Sequence, residues 1–165
     1  MHATTVGVDL AKNVFEVAVA DEGYRVVRRT RLSRARFQQF CAQQPSSVFV
    51  MEACGSAHHW GRRLQALGHE VRLLPAQYVR AYVRRNKTDR ADAAALIEAA
   101  RCADIEPVPV NSVEQQGVQQ LHRLREQYKS TRSARVNLLC GCLREYGIVI
   151  AKGVGPGARG DARGA

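Results

Sequence analysis

No stretch of this 165-residue sequence approaches the roughly 18 consecutive apolar residues that a membrane helix needs, which argues against a helical span. The start, Met1 to Asp9, has no basic flank followed by a long apolar run and a small-residue cleavage site, so no secretory signal is expected and the cytoplasm is the default compartment. Paired CxxC spacing is absent: the five cysteines, at 41, 54, 102, 140 and 142, are odd in number and argue against both a disulfide framework and a zinc ribbon. His58 and His59 are adjacent, so on a helix they diverge by about 100° and cannot share a metal as an i, i+4 pair can. They read as structural or nucleic-acid-facing groups. There is no internal repeat and no second glycine-rich phosphate loop.

What is present is a hydrophobic fraction of 45% with 24% charged residues, the balance of a soluble globular protein, in a chain long enough for one domain and a helical appendage. Lys and Arg outnumber Asp and Glu 25 to 15, giving a net charge of +10. The excess is rich in arginine, whose planar fork suits bidentate contact with phosphate oxygens, so a nucleic acid is the expected partner.

Thr4 to Leu10, Val14 to Ala20 and Tyr24 to Leu32 are Val-rich runs separated by Ala11-Lys12-Asn13 and Asp21-Glu22-Gly23, and they predict a strand meander. Gly23 is expected to supply the positive φ of the second turn. Ser33 predicts an N-cap for a helix to about Gln44, with Phe37, Phe40 and Cys41 on its buried face. Ser47 to Ala53 is an apolar run ending near Glu52, as in a central strand covered on both faces. A helix over Gly55 to Leu67, with Trp60, Leu64 and Leu67 on one stripe and Gly68 as its stop, leads to a strand over Glu70 to Leu74 that is expected to pair in parallel. After a basic connection from Gln77 to Lys87, an Ala-rich helix is predicted from Thr88 to Ala103. Ser112 and Gln115 form a capping box, and helical periodicity then runs to Tyr146, which predicts either a helical hairpin or coiled-coil arm able to mediate oligomer contacts, or a helical segment that packs back on the domain. Gly153 to Ala165 has almost nothing apolar to bury and predicts a disordered tail.

Four carboxylates stand out. Asp9 ends the first strand among buried valines, where an acid is costly unless paired or bound to a cation. Glu52 closes the most hydrophobic strand. Asp89 and Asp92, three apart at a helix start, share one face. Together they could hold Mg²⁺ or Mn²⁺, and two such ions about 4 Å apart would activate a nucleophile and stabilise the leaving oxygen in phosphodiester chemistry. Each acid also has a plain structural reading. Asp89 and Asp92 suit a first helical turn, Asp9 could cap the turn before Ala11, and Glu52 could pair with an arginine.

The segments Gly7-Val8-Asp9-Leu10-Ala11-Lys12-Asn13-Val14-Phe15, Met51-Glu52-Ala53-Cys54-Gly55-Ser56-Ala57-His58-His59-Trp60 and Asn86-Lys87-Thr88-Asp89-Arg90-Ala91-Asp92-Ala93 closely resemble the DEDD transposases of the insertion sequence one-ten family. Leu138-Leu139-Cys140-Gly141-Cys142-Leu143-Arg144-Glu145-Tyr146-Gly147-Ile148 is similar to that family's helical segment. The resemblance implies an α/β, RNase H-like (RuvC-like) mixed sheet with flanking helices over 1–110, a helical arm over 111–152 and a tail over 153–165. It also implies a metal site at Asp9, Glu52, Asp89 and Asp92, with Mg²⁺ or Mn²⁺ as cofactor.

DNA recombination in transposition, a structured guide RNA, homo-oligomerisation and a place at the bacterial nucleoid follow from the same resemblance. Lys12, Arg84, Arg85, Lys87 and Arg90 flank the acids and are the expected nucleic-acid contacts. The family's serine nucleophile belongs to a carboxyl-terminal domain expected after Lys152, and no residue present is assigned that role. The rival readings are a nuclease of the Holliday-junction resolvase type, an inactive nucleic-acid-binding fragment, and a piece of a sugar-kinase or actin-like ATPase.

Overall fold

The computed structural model of the chain describes residues 4–79, 89–102 and 104–150, and for residues 89–92 the backbone alone. Arg84, Arg85 and Lys87, and the tail from Gly153 to Ala165, lie outside the described residues. The elements run β1 (Thr5–Leu10), β2 (Val14–Ala20), β3 (Val26–Ser33), α1 (Arg34–Gln43), β4 (Val48–Glu52), α2 (Ala57–Ala66), β5 (Glu70–Leu74), α3 (Ala76–Val79), α4 (Asp89–Ala100) and α5 (Val113–Glu145). Two compact units result, Met1–Gln115 and Gln116–Ala165.

The five strands form one mixed sheet in the order β3-β2-β1-β4-β5. β1 and β3 pair antiparallel to β2, while β4 pairs parallel to both β1 and β5. This is the RNase H-like arrangement that the family resemblance implies. The edge strand β3 carries Arg28, Arg29 and Arg31, and charge of this kind discourages pairing with a foreign strand.

The two faces of the sheet differ in side-chain size. One carries Val6, Val8, Phe15, Val17, Phe49 and Met51 against α1 and α2. All four phenylalanines and the single tryptophan lie in this cluster. Phe37 is its centre, with ring centroids 5.0 Å from Phe15, 5.0 Å from Trp60 and 6.5 Å from Phe49, edge to face in each case. Such pairs add about 1 kcal/mol each beyond area burial. His69 is buried beside them: its Nδ1 accepts from the Ser47 amide at 3.3 Å and its Nε2 lies 3.0 Å from the Cys41 carbonyl, so it ties the start of β4 to α1.

The opposite face is built from small residues. Ala18 and Ala20 meet Ala93 and Ile97 of α4, Val50 meets Leu96, and Gly7 lies directly beneath the Ala93 carbonyl. With so little side chain between them, helix and sheet approach closely. That closeness matters for the site below.

Several local signals act as expected. Ser33 Oγ accepts from the Arg36 amide at 3.4 Å at the start of α1. Ser112 and Gln115 exchange reciprocal bonds of 2.9 and 3.2 Å. Gly68 takes φ +85° after α2, where the Gly68 amide donates to Gln65 and that of His69 to Leu64.

Three expectations are corrected. The positive φ of the β2–β3 turn belongs to Tyr24, at 60°, because Asp21 Oδ1 accepts from the amides of both Gly23 and Arg25 and moves the left-handed residue one place along. Leu67 is 48% exposed, since the turn at Gly68 carries it off the buried stripe. Of the two forms expected for the arm, hairpin or coiled-coil arm, the hairpin is set aside: α5 is one uninterrupted helix. Its 33 residues span about 50 Å, none is buried, and no proline interrupts it.

Candidate functional site

The alternation of side chains along a strand decides what Asp9 and Glu52 can do. On β1, Thr5, Gly7 and Asp9 share the small-residue face. On β4, Val48, Val50 and Glu52 share it too. The parallel register pairs Val8 with Met51, so Asp9 and Glu52 follow as the next neighbours at the carboxyl ends of adjacent strands. Both side chains are half-buried. Cys54, just beyond β4, reports on their proximity: its thiol is pushed up by burial first, then by the charges of Glu52 and Asp9.

The direction of α4 brings its first turn to the same end. Arg101, just past the end of α4, lies 5.8 Å over the ring of Tyr24, in the β2–β3 turn beside the start of β1. Midway, Ala93 sits over Gly7. The helix therefore runs opposite to β1. Four residues before Ala93 is about 6 Å of helix, and two residues beyond Gly7 is about 7 Å of strand. The backbone of Asp89–Asp92 thus lies toward the carboxyl end of β1, where Asp9 stands. Arg90 is in the same turn.

The structure adds two residues that the sequence reading missed. Glu16 lies directly across the hairpin from Asp9, and Arg31 directly across from Glu16. Arg31 Nε is 3.3 Å from Glu16 Oε1. A row of Arg31, Glu16, Asp9 and Glu52 thus crosses four strands on one face. Asp9, Lys12, Asn13, Glu16 and Arg31 line a single concavity there. Like charges opposite each other across a ladder are destabilising, and the Arg31 guanidinium offsets that cost at Glu16. The turn alone did not give this pairing: counting outward from Ala11-Lys12-Asn13 pairs Leu10 with Val14, whereas the register is one place along, Leu10 with Phe15 and hence Asp9 with Glu16.

His58 and His59 hold no shared site. His58 Nδ1 accepts from the Asn111 amide at 3.1 Å, while His59 is exposed beside Trp60. The His59 imidazole is held below its ordinary value by burial, then by Arg63, Arg62 and Arg34. Lys12 is exposed on the β1–β2 turn, and its carbonyl accepts from Arg34 Nη1 at 2.7 Å.

The family described as DEDD_Tnp_IS110, transposase, matches residues 6–148. A probable family 20 transposase of Pseudomonas aeruginosa is 44% identical over 152 residues, covering 92% of this chain and 45% of its own length. The transposase for insertion sequence element IS1111A of Coxiella burnetii is 40% identical over 148 residues, covering 90% and 41%. The transposase for IS1328 of Yersinia enterocolitica is 34% identical over 153 residues, covering 93% and 46%. The chain spans less than half the length of each of these relatives. Among solved structures, T. thermophilus RuvC in complex with a Holliday junction substrate aligns with 65% of this chain and 100% of its own, at a TM-score of 0.46 and 11% identity. With the family match extending from β1 to just past the end of α5, the chain belongs to the DEDD transposases of the IS110 family.

Proposed function

We propose that this chain is the metal-dependent part of a transposase that acts on DNA, with Asp9, Glu52, Asp89 and Asp92 as its carboxylate set and Mg²⁺ or Mn²⁺ as its cation. The observation that carries this reading is the placement of two acids on one face, at the ends of adjacent strands, under the first turn of a helix that begins Asp89-Arg90-Ala91-Asp92. Carboxylate oxygens are hard donors and fit a hard divalent ion. Among the described residues no three His, Cys, Asp or Glu side chains could hold a metal by themselves, so the proposed set depends on the acids of α4. When bound, such ions would supply Lewis-acid polarisation of a phosphodiester and a more acidic water.

The chain's own residues do the positioning. β1 and β4 fix the spacing of Asp9 and Glu52, because each strand is hydrogen-bonded on both sides. Gly7, Ala18 and Ala20 set how deeply α4 sits, and so how near its first turn comes to Asp9. Glu16, clamped by Arg31, adds a carboxylate beside Asp9 without competing for its place. Residues 1–110 serve as the catalytic domain and 111–152 as an arm. Self-association through α5 is supported by its exposed Val118, Leu121, Leu124 and Tyr128. A structured guide RNA, contacts by Lys12, Arg84, Arg85, Lys87 and Arg90, and a cytoplasmic, nucleoid location belong to the same reading. No helix among the described residues is long and apolar enough to cross a membrane.

The test is calorimetric titration with Mn²⁺ of the wild type, Asp9→Asn, and Asp89→Asn with Asp92→Asn, beside a cleavage assay on duplex and branched DNA. Binding by the wild type that both variants lose supports the site. Absence of metal binding by the wild type overturns it. Metal-dependent cutting of branched DNA by this chain alone would favour a resolvase-type nuclease.

A further inference from the structure

On the other side of the sheet from the acid row, but at the same end, two guanidinium groups and an imidazole gather around one indole. The guanidinium of Arg34 lies 5.5 Å over the Phe15 ring and 5.8 Å over that of Trp60. That of Arg63 also lies 5.8 Å from the Trp60 ring, and the His59 ring meets Trp60 edge to face at 5.6 Å. Trp60 itself is only 4% exposed, so it is a fixed post. Arg34, His59 and Arg63 are exposed.

Two features occur together in this cluster, the lack of a carboxylate neighbour and stacking on a shared indole. Arg25, Arg31, Arg72, Arg101 and Arg125 each lie within 4 Å of a carboxylate. Arg34 and Arg63 have no such partner among the described residues, and are held instead by stacking and, for Arg34, by the Lys12 carbonyl. Stacked guanidinium groups keep their forks free for an anion and lose little side-chain entropy on binding one. Like charges this close repel, and after burial, the larger cause, these arginines also hold the His59 imidazole below its ordinary value. A polyanion relieves that repulsion.

The bond from Arg34 to Lys12 fixes the cluster's place. Lys12 lies in the turn that rims the Asp9 concavity, so the cations begin where the acid row ends. We propose that Arg34, His59 and Arg63, with Lys12, form a phosphate-binding cradle that leads the backbone of duplex DNA over the carboxyl end of the sheet to the acids. This rests on the reading of the acids as a DNA-processing site. The cradle contacts phosphates and not bases, so it sets position and affinity without sequence preference.

The experiment is fluorescence anisotropy of the 165-residue chain with a labelled DNA duplex across a salt series. The variant is Arg34→Gln with Arg63→Gln. Its control is Arg25→Gln with Arg72→Gln, which removes the same charge from two ion-paired sites elsewhere, in the β2–β3 turn and in β5. Loss of two phosphate contacts lowers the slope of log affinity against log salt by about 2 in the first pair. The control pair is expected to keep the wild-type slope, and Arg34→Lys with Arg63→Lys to keep the slope at reduced affinity.

Equal loss in both Gln pairs, or none in the first, overturns the cradle. Loss confined to a structured RNA hairpin of the same length overturns its assignment to DNA. Thermal melting of each variant shows whether it is folded, and the Lys pair, which keeps the charge, decides the question should the Gln pair melt early. Manganese titration of the same proteins separates the two ideas. Metal binding retained beside lost DNA binding supports both, while metal binding retained with DNA binding unchanged removes the cradle and leaves the acid site standing.

Discussion

Replacing Gly7 by alanine tests whether the depth of α4 on the sheet sets the site. A Cβ at Gly7 would run into the Ala93 carbonyl oxygen at a separation real side chains do not adopt, and would meet Ile97 Cγ1 at 2.9 Å. Ile97 can turn aside, but the carbonyl belongs to the helix backbone. Relief therefore requires α4 to retreat by roughly 1 Å to reach an ordinary contact distance. Overpacking of this kind costs about 1 to 3 kcal/mol, and alanine in a strand returns about 0.5 to 1 kcal/mol relative to glycine. The net loss is about 1 kcal/mol at the middle of these ranges and at most about 2.5 kcal/mol, or a fall in melting temperature of roughly 4 to 20 °C for a domain of this size.

Because Asp89–Asp92 is one turn from Ala93, the same displacement should weaken Mn²⁺ binding by about 10-fold. Gly61→Ala is the comparison. There the added Cβ meets only side-chain atoms of Val110, at 2.9 and 3.0 Å, and the helix gains about 1 kcal/mol from the better helix former. Circular dichroism melts and manganese titration of both variants decide the matter. The reasoning is refuted if Gly7→Ala melts and binds metal like the wild type, or if Gly61→Ala costs as much.

Glu16→Gln should weaken Mn²⁺ binding by about 10-fold, where Asp9→Asn abolishes it, because Glu16 neighbours the proposed ligands without joining them; an unchanged titration would remove the row from the site. Cys54 should alkylate faster at pH 8.5 in Asp9→Asn with Glu52→Gln, since two of the charges that raise its thiol pKa are gone while burial, the larger cause, remains; mass spectrometry that finds no change would place the acids too far from it. In the same experiment Cys41, pushed up to about 12 by burial, should stay unmodified while exposed Cys142 reacts, because a thiol whose pKa is raised is thiolate only at higher pH. Gly117→Ala with Gly141→Ala should stabilise α5 by up to about 2 kcal/mol, since neither added Cβ meets a neighbour, and a melt followed at 222 nm would show it.

Signals that act over a few residues were legible in the sequence. β2 and β5 begin and end where the Val-rich and apolar runs do, Ser33 and Ser112 cap the helices they precede, and Gly68 stops α2. The parts that were not legible depend on groups competing for the same bonds or on distant pairing. Asp21 can bond two amides at once, and this moved the left-handed residue from Gly23 to Tyr24. The stripe of α2 includes Leu67 by periodicity, but the helix turns back before that residue can be buried. In α5 helical periodicity left a hairpin and a coiled-coil arm both open, and the hairpin is not formed because no residue between Ser112 and Gly147 forces the chain to reverse.

The acids themselves show why residue type alone was enough for part of the site and not for the rest. Asp9 and Glu52 draw notice because each ends an apolar strand, where a lone carboxylate is costly. Glu16 sits in a strand of the same character and draws none, since it alternates with Phe15 and Val17 as an ordinary solvent-facing acid would. What makes Glu16 part of the row is its register against Asp9 on one side and Arg31 on the other. The face it shares is set by something less visible still: glycine and alanine at positions 7, 18 and 20 leave room for α4, while phenylalanine at 15 and 49 holds α1 and α2 farther off. A sheet with large residues on both faces could present the same four acids in the same order and still keep the helix acids out of reach of Asp9.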